Sequence, residues 1–302
     1  MTHRSTYDGA LVRYATYASV SVALLLIGVK FYAWWISNSV SLQATLIDSL
    51  LDAAASIVNM FAVRHAQRPP DSQHRFGYGK AEGIAALGQS VFIAGSAVWL
   101  VYEASQRLFA PVIIQETGIG IAVMALSMLV TLGLIMFQTY VVKRTRSAAI
   151  KADSVHYRSD FLINGGVIVS LLLTQWTGVF WIDPLVGGGI ALYILYTAWT
   201  IVREALDILM DRELPDSIRN KVRDISLSHK DVRGIHEFRT RSSGLRDFVQ
   251  LHLELDGHIT LDEAHRIADE VEAMILEDFP DADVLIHQDP VRWDANGKRV
   301  AR

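Results

Sequence analysis

Apolar positions gather into six long runs, at about residues 12–36, 40–64, 82–108, 118–142, 154–176 and 181–203, separated by short polar segments. A helix needs roughly 20 apolar residues to cross a bilayer, so each run predicts one transmembrane helix. The first run is too long for a signal-peptide core and no small-residue cleavage site follows it, so it reads as a retained helix. Beyond Arg203 charge becomes dense and apolar runs shorten. Pro215 and Asp216 in "LPDS" mark a helix start, and two alternating segments follow, "VRGIHEFRTRSS" and "RDFVQLHLELDG", joined around Ser243–Gly244. "ITLDEAHRIADEVEAMILEDF" has helical periodicity, with Thr260 ahead of Glu263 as a capping-box signal, and "DADVLIHQDP" is a short strand. The expected architecture is a six-helix membrane bundle over 1–208, a soluble αββαβ domain over 209–291 and a tail over 292–302.

Charge orients this arrangement. Arg64, Arg68, Arg75 and Lys80 lie between the second and third runs, and Lys143, Arg144, Arg146 and Lys151 between the fourth and fifth, whereas the turns at Ser37–Asn38 and Thr177–Gly178 carry no Lys or Arg. The positive-inside rule makes the basic loops cytoplasmic, and an even number of spans puts both termini on that side too. Trp34, Trp35, Trp176 and Trp181 fall at the outer ends of their spans, where an aromatic belt anchors helices. The averages, 51% hydrophobic and 20% charged with a mean hydropathy of +0.26, conceal these two unlike halves. With no cysteine, disulfides and thiolate ligands are excluded, and any metal must use His, Asp, Glu or backbone oxygen.

Two pairs carry the candidate chemistry. "LIDSLLDAAAS" places Asp48 and Asp52 four residues apart on one helix face. An aspartate at mid-bilayer costs about 2.5–3.5 kcal/mol on insertion scales, so such residues face a bundle interior or water and commonly serve ions or protons. In "ADSVHYRSDFLINGG", His156 and Asp160 repeat the spacing on the fifth span. Three carboxylates and one imidazole make an O/N set for tetrahedral Zn²⁺ and, with adjustment, Fe²⁺ or another divalent first-row ion. Ca²⁺ and Mg²⁺ prefer more oxygen ligands or retained waters. Asp153, at the entry of the fifth span, reads as a helix-end residue, and the glycines of "GGVIV" and "LVGGGIAL" as sites of close helix packing.

"DSLLD" and "HYRSD" resemble the two transport-site motifs of the cation diffusion facilitator family, in its bacterial ferrous-iron and zinc efflux branch, and the similarity extends over almost the whole chain. The resemblance implies a homodimeric metal/proton antiporter in the bacterial inner membrane, with Asp48, Asp52, His156 and Asp160 as the site of the transported ion. An Asp at position 48 is compatible with Fe²⁺, Zn²⁺ and Cd²⁺. It also implies a ferredoxin-like soluble domain in which His236, His252, His265, His287 and Asp289 form a two-ion cluster at the dimer interface, with Asp289 as the bridge. Lys80 and Asp211 match a charge interlock. In "RPPDSQHRFGYGKAEG" Asp71 and His74 match a loop metal site, but Tyr78 stands where relatives commonly have a second histidine, which leaves at most a weak site.

Residues 211–290 hold 19 acids against 10 Lys and Arg, a balance of −9 that bound divalent ions would relieve between two copies. Because carboxylate and imidazole bind metal only when deprotonated, entering protons would favour release, with His156 the candidate proton carrier. A passive channel or a membrane metal sensor are the rival readings. The chain has no HExxH or GxSxG motif expected of a hydrolase and no P-loop for an ATP-driven pump, nor the basic surface of a nucleic-acid binder, and no organic cofactor is expected.

Overall fold

A computed structural model describes residues 3–37, 40–109, 118–179, 181–244 and 246–291. The expected tail over 292–302 lies outside the described residues, as does Asn38. The chain divides into two compact units, Thr6–Leu206 and the part beginning at Asp207.

In the first unit, six helices follow the six runs: α1 His3–Ser37, α2 Val40–Ala66, α3 Ala81–Phe109, α4 Gly118–Thr145, α5 Ala148–Thr177 and α6 Ile182–Leu209. Among the described residues, five of these are long and apolar enough to cross a membrane. The other, α5, has 30 residues, but its first half carries Lys151, Asp153, His156, Arg158 and Asp160. It packs against α2, α3 and α4, so Asp153, His156 and Asp160 turn into the bundle, while Arg158 stays exposed and Lys151 pairs with Glu204 of α6. Val58, Trp99, Leu129 and Trp199 point away from the bundle, as expected where the surrounding solvent is lipid.

Helix α5 begins six residues before the expected boundary because its start is capped twice. Arg146 takes a left-handed conformation, φ 56°, which ends α4. Ser147 Oγ accepts from the Ile150 amide at 3.4 Å and donates to Glu82 Oε2 of α3 at 2.9 Å. A carboxylate at a helix N-terminus also complements the positive end of its dipole. Of the glycines expected to mediate close packing, Gly166 does so: a β-carbon there would lie 2.3 Å from Ile190 Cδ1 of α6. Gly187, Gly188 and Gly189 face open space within this chain.

The second unit has the expected αββαβ order: α7 Asp216–Ser228, β1 Gly234–Ser242, β2 Asp247–Leu255, α8 Leu261–Asp278 and β3 Asp283–Pro290. The sheet runs β1-β2-β3, with β1 antiparallel and β3 parallel to β2. Val249, Leu251, Leu253 and Leu255 of β2 join Val222 of α7 and Ile267, Val271 and Ile275 of α8 in one core. Because strand side chains alternate, His252 and Glu254 fall on the face away from the helices. Thr260 caps α8 as expected, accepting from the Glu263 amide. The Glu263 carboxylate pairs with Arg266 one turn on instead of reaching back, since a charged partner outcompetes the backbone amide.

Candidate functional site

The packing of α5 against α2 brings together residues 104 positions apart. His156 Nε2 lies 3.1 Å from Asp52 Oδ1 of α2 and 3.7 Å from Asp160 Oδ2, one turn along its own helix. Ligand atoms of these three residues all fall within 4.8 Å of one another. Around a tetrahedral ion with bonds of about 2.0–2.2 Å, donor atoms sit roughly 3.3–3.6 Å apart, so the trio needs little rearrangement to accept one. Asp48 is exposed and lies outside this close group, though within electrostatic range of Asp52 and His156.

The helix-free face of the sheet carries a second cluster. Strand register aligns His236 with His252 and His252 with His287, one histidine from each strand in a single row. Asp289, two residues beyond His287, returns to the same face. Its Oδ2 meets His236 Nε2 at 3.0 Å and His252 Nδ1 at 2.9 Å, while its Oδ1 lies 3.3 Å from His287 Nε2. The His252 hydrogen bond, reinforced by His287 and His236 and opposed by partial burial, holds the Asp289 carboxyl below its usual range. The donor set of imidazole nitrogens around one carboxylate fits a divalent first-row ion. His265 is elsewhere, exposed on α8 and 3.7 Å from Asp269. Glu254, which sequence reading missed, places Oε1 3.2 Å from His236 Nδ1. Its alternation with His252 was the available signal.

The cation efflux transmembrane domain matches residues 16–210, and the cation efflux protein cytoplasmic domain matches residues 214–291. The cation-efflux pump FieF of Cronobacter sakazakii (strain ATCC BAA-894) is 46% identical over 282 residues, covering 93% of this chain and 94% of its own. The chain belongs to the cation diffusion facilitator family. FieF of Serratia proteamaculans (strain 568) is 45% identical over 289 residues, covering 96% of both chains. A solved structure of CzrB, 30% identical, covers 26% of this transporter and 96% of its own chain, with a TM-score of 0.25. The protein is thus a multi-pass membrane transporter for cation efflux.

Other expected residues of the transporter are arranged differently. In the α2–α3 loop, Asp71 is engaged by its own loop: Oδ1 accepts from the amides of Gln73 and His74 at 2.9 and 2.7 Å, and Oδ2 from the Tyr78 hydroxyl at 2.6 Å. The Tyr78 ring also packs on His74 and on His65. A metal at Asp71 and His74 would have to compete with these bonds. Lys80 and Asp211 belong to different units, and Asp211 Oδ1 accepts from Arg241 at 3.2 Å.

Asp153 departs from the helix-end expectation. It is fully buried, and its Oδ2 accepts from Ser19 Oγ of α1 at 2.6 Å and from Gln138 Nε2 of α4 at 2.7 Å. A further residue was overlooked. Lys30 of α1 donates from Nζ to the Thr45 carbonyl at 3.2 Å and to Ser49 Oγ at 2.6 Å. An ammonium inside an apolar run was itself a legible signal.

Proposed function

We propose that this transporter exports Zn²⁺ or Fe²⁺, with Cd²⁺ as a further substrate, from the cytoplasm in exchange for protons. The observation that carries this reading is the convergence of Asp52, His156 and Asp160 from two helices within the bundle. Asp48, one turn before Asp52 on α2, would complete the ligand set. The helices rearrange to open the site outward, and protons entering from that side compete with the ion for carboxylate oxygen and for the His156 imidazole, which favours release. No ATP enters this cycle, and the protein is a secondary transporter rather than an enzyme.

The soluble domain serves as a cytoplasmic metal-dependent dimerisation module. His236, His252 and Asp289 would hold one ion, and His287 with the other oxygen of Asp289 would begin a second. His265, remote from this cluster in its own chain, would come from the second copy of a homodimer. Bound ions relieve the −9 balance over residues 211–290. The loop residues Asp71 and His74 are at most a weak third site, and Lys80 with Asp211 would supply the charge interlock that the family resemblance implies. Basic loops at Arg64–Lys80 and Lys143–Lys151 put both termini in the cytoplasm of a bacterial inner-membrane protein.

The test is uptake of Zn²⁺ and, anaerobically, of Fe²⁺ into proteoliposomes under an imposed pH gradient, with Asp52→Ala as control. Saturable, gradient-dependent uptake that disappears in the variant supports the antiport reading, and the ratio of the two metals gives the preference. Uptake that ignores the gradient indicates a channel. Binding without uptake indicates a sensor.

A further inference from the structure

Lys30 is a cation inside the membrane span Gly9–Ile36 of α1. Such a charge is costly in hydrocarbon and needs a compensating partner. Its hydrogen-bond acceptors, Thr45 and Ser49, lie one turn apart on α2, and Ser49 sits between Asp48 and Asp52 in sequence. The ammonium is thereby held within electrostatic range of Asp52, Asp48 and Asp160 together. No direct ion pair within 4.0 Å joins it to any of the three among the described residues. It is therefore positioned beside the carboxylates without taking their ligand oxygens.

We propose that Lys30 is a specificity-determining residue of the transport site, a built-in cation that weakens divalent-metal binding and sets the charge the site will hold. This inference rests on the reading of Asp48, Asp52, His156 and Asp160 as the ligands of the transported ion. Three carboxylates alone present −3. With Lys30 beside them the total is −2, which one divalent ion neutralises, whereas a monovalent ion leaves negative charge and a trivalent ion leaves positive charge. In a low-dielectric bundle, uncompensated charge of either sign is disfavoured. The repulsion between Lys30 and the bound ion also limits affinity, so that the ion can leave on the far side. Lys30 touches no ligand atom and acts on the ion through space.

An opposite reading, that Lys30 merely ties α1 to α2, predicts the opposite sign. If the tie positions Asp48 and Asp52, losing it should weaken metal binding. If the charge matters, losing it should strengthen binding. The experiment uses the full-length protein in detergent, carrying Asp289→Ala to remove the shared ligand of the soluble cluster, and titrates Zn²⁺ against wild-type Lys30, Lys30→Met, Lys30→Gln and Lys30→Arg. The neutral variants are expected to bind Zn²⁺ about five- to tenfold more tightly and, in proteoliposomes, to show lower maximal uptake together with a lower KM. Lys30→Arg should stay within about twofold of wild type, and Ser49→Ala, which removes the hydrogen bond but keeps the charge, should not tighten binding. Lys30→Gln retains a donor for Ser49 and covers the case in which Lys30→Met does not yield monodisperse protein. Unchanged or weaker Zn²⁺ binding in folded Lys30→Gln overturns the proposal. If Asp52→Ala leaves Zn²⁺ binding intact, it is the assignment of the ligand site that fails, whatever Lys30 does.

Discussion

The Tyr78 hydroxyl donates to Asp71 Oδ2 at 2.6 Å, closing the α2–α3 loop with a hydrogen bond. That bond, with the amides of His74 and Gln73, holds the Asp71 carboxyl down at about 2. A carboxyl whose folded value is depressed contributes stability above its unfolded value, and loses it only as pH falls through the folded one. The Asp71 carboxyl should therefore keep its bonds to Tyr78, His74 and Gln73 in the ionised state from pH 8 down to about 4. Replacing the phenol with an imidazole, Tyr78→His, should exchange the hydrogen bond for a third ligand beside Asp71 and His74. The expected outcome is one additional Zn²⁺ per protomer by elemental analysis after desalting, with no gain in Tyr78→Phe.

Asp52 and Asp48 should not be equivalent. Asp52 Oδ1 already lies 3.1 Å from His156 Nε2, while Asp48 is exposed and outside the close trio. Removing a ligand from an assembled group costs both the bond and the geometry of its neighbours. Asp52→Ala is expected to reduce metal uptake into proteoliposomes by about 100-fold or more, and Asp48→Ala by roughly tenfold, chiefly through KM. Equal losses would mean that Asp48 joins the ligand set as firmly as Asp52.

The division between what the chain announced and what it hid follows from which interactions are local. Span lengths, the i, i+4 pairs and the αββαβ order depend on neighbours in sequence, and all are legible in the pattern. Strand alternation placed His287 and Asp289 on one face, but the alignment of His236, His252 and His287 in one row depends on register, which alternation does not specify. Nor does it reveal the irregularity after His236, where Glu237 adopts φ 44°. Asp153 was misread because a carboxylate near a helix start ordinarily faces water; here its partners come from α1 and α4. Lys30, by contrast, was legible as a charge inside an apolar run, and only its partners Thr45 and Ser49 required the packing of α1 on α2.

Asp289 is the residue on which the soluble cluster depends, since His236 and His252 both meet its Oδ2 and His287 faces its Oδ1. The core of that unit lies on the other side of the sheet, so Asp289→Ala should leave it folded. A ligand present at 100 times its Kd stabilises the native state by about 2.7 kcal/mol. Zn²⁺ should therefore raise the unfolding temperature of the wild-type soluble domain, in the full-length protein, by several degrees and leave that of Asp289→Ala unmoved. Protons compete for the same imidazole nitrogens, so the stabilisation should fade as pH is lowered. Differential scanning calorimetry with and without Zn²⁺ at two pH values reads both effects.

Asp153 makes the case that a buried carboxyl can serve the frame of the transport site without serving as a ligand. It lies one turn before His156, and through Ser19 and Gln138 it fixes α5 against α1 and α4, while Tyr157 beside His156 meets Ser56 of α2 at 2.9 Å. Leucine at position 153 fills similar volume but removes the shared acceptor, leaving Ser19 Oγ with the Ala15 carbonyl and Gln138 Nε2 with Ser19 Oγ. Losing two buried hydrogen bonds to a carboxyl in this way costs about 1–3 kcal/mol. Asp153→Asn keeps an acceptor oxygen and should recover most of that loss. The expected result in detergent is a clear fall in unfolding temperature for Asp153→Leu and a small one for Asp153→Asn. Transport should follow the same order, because the distance between His156 and Asp52 depends on how firmly α5 is held. Asp153→Asn that is stable but inactive would instead show that the charge of this carboxylate acts in the transport cycle itself.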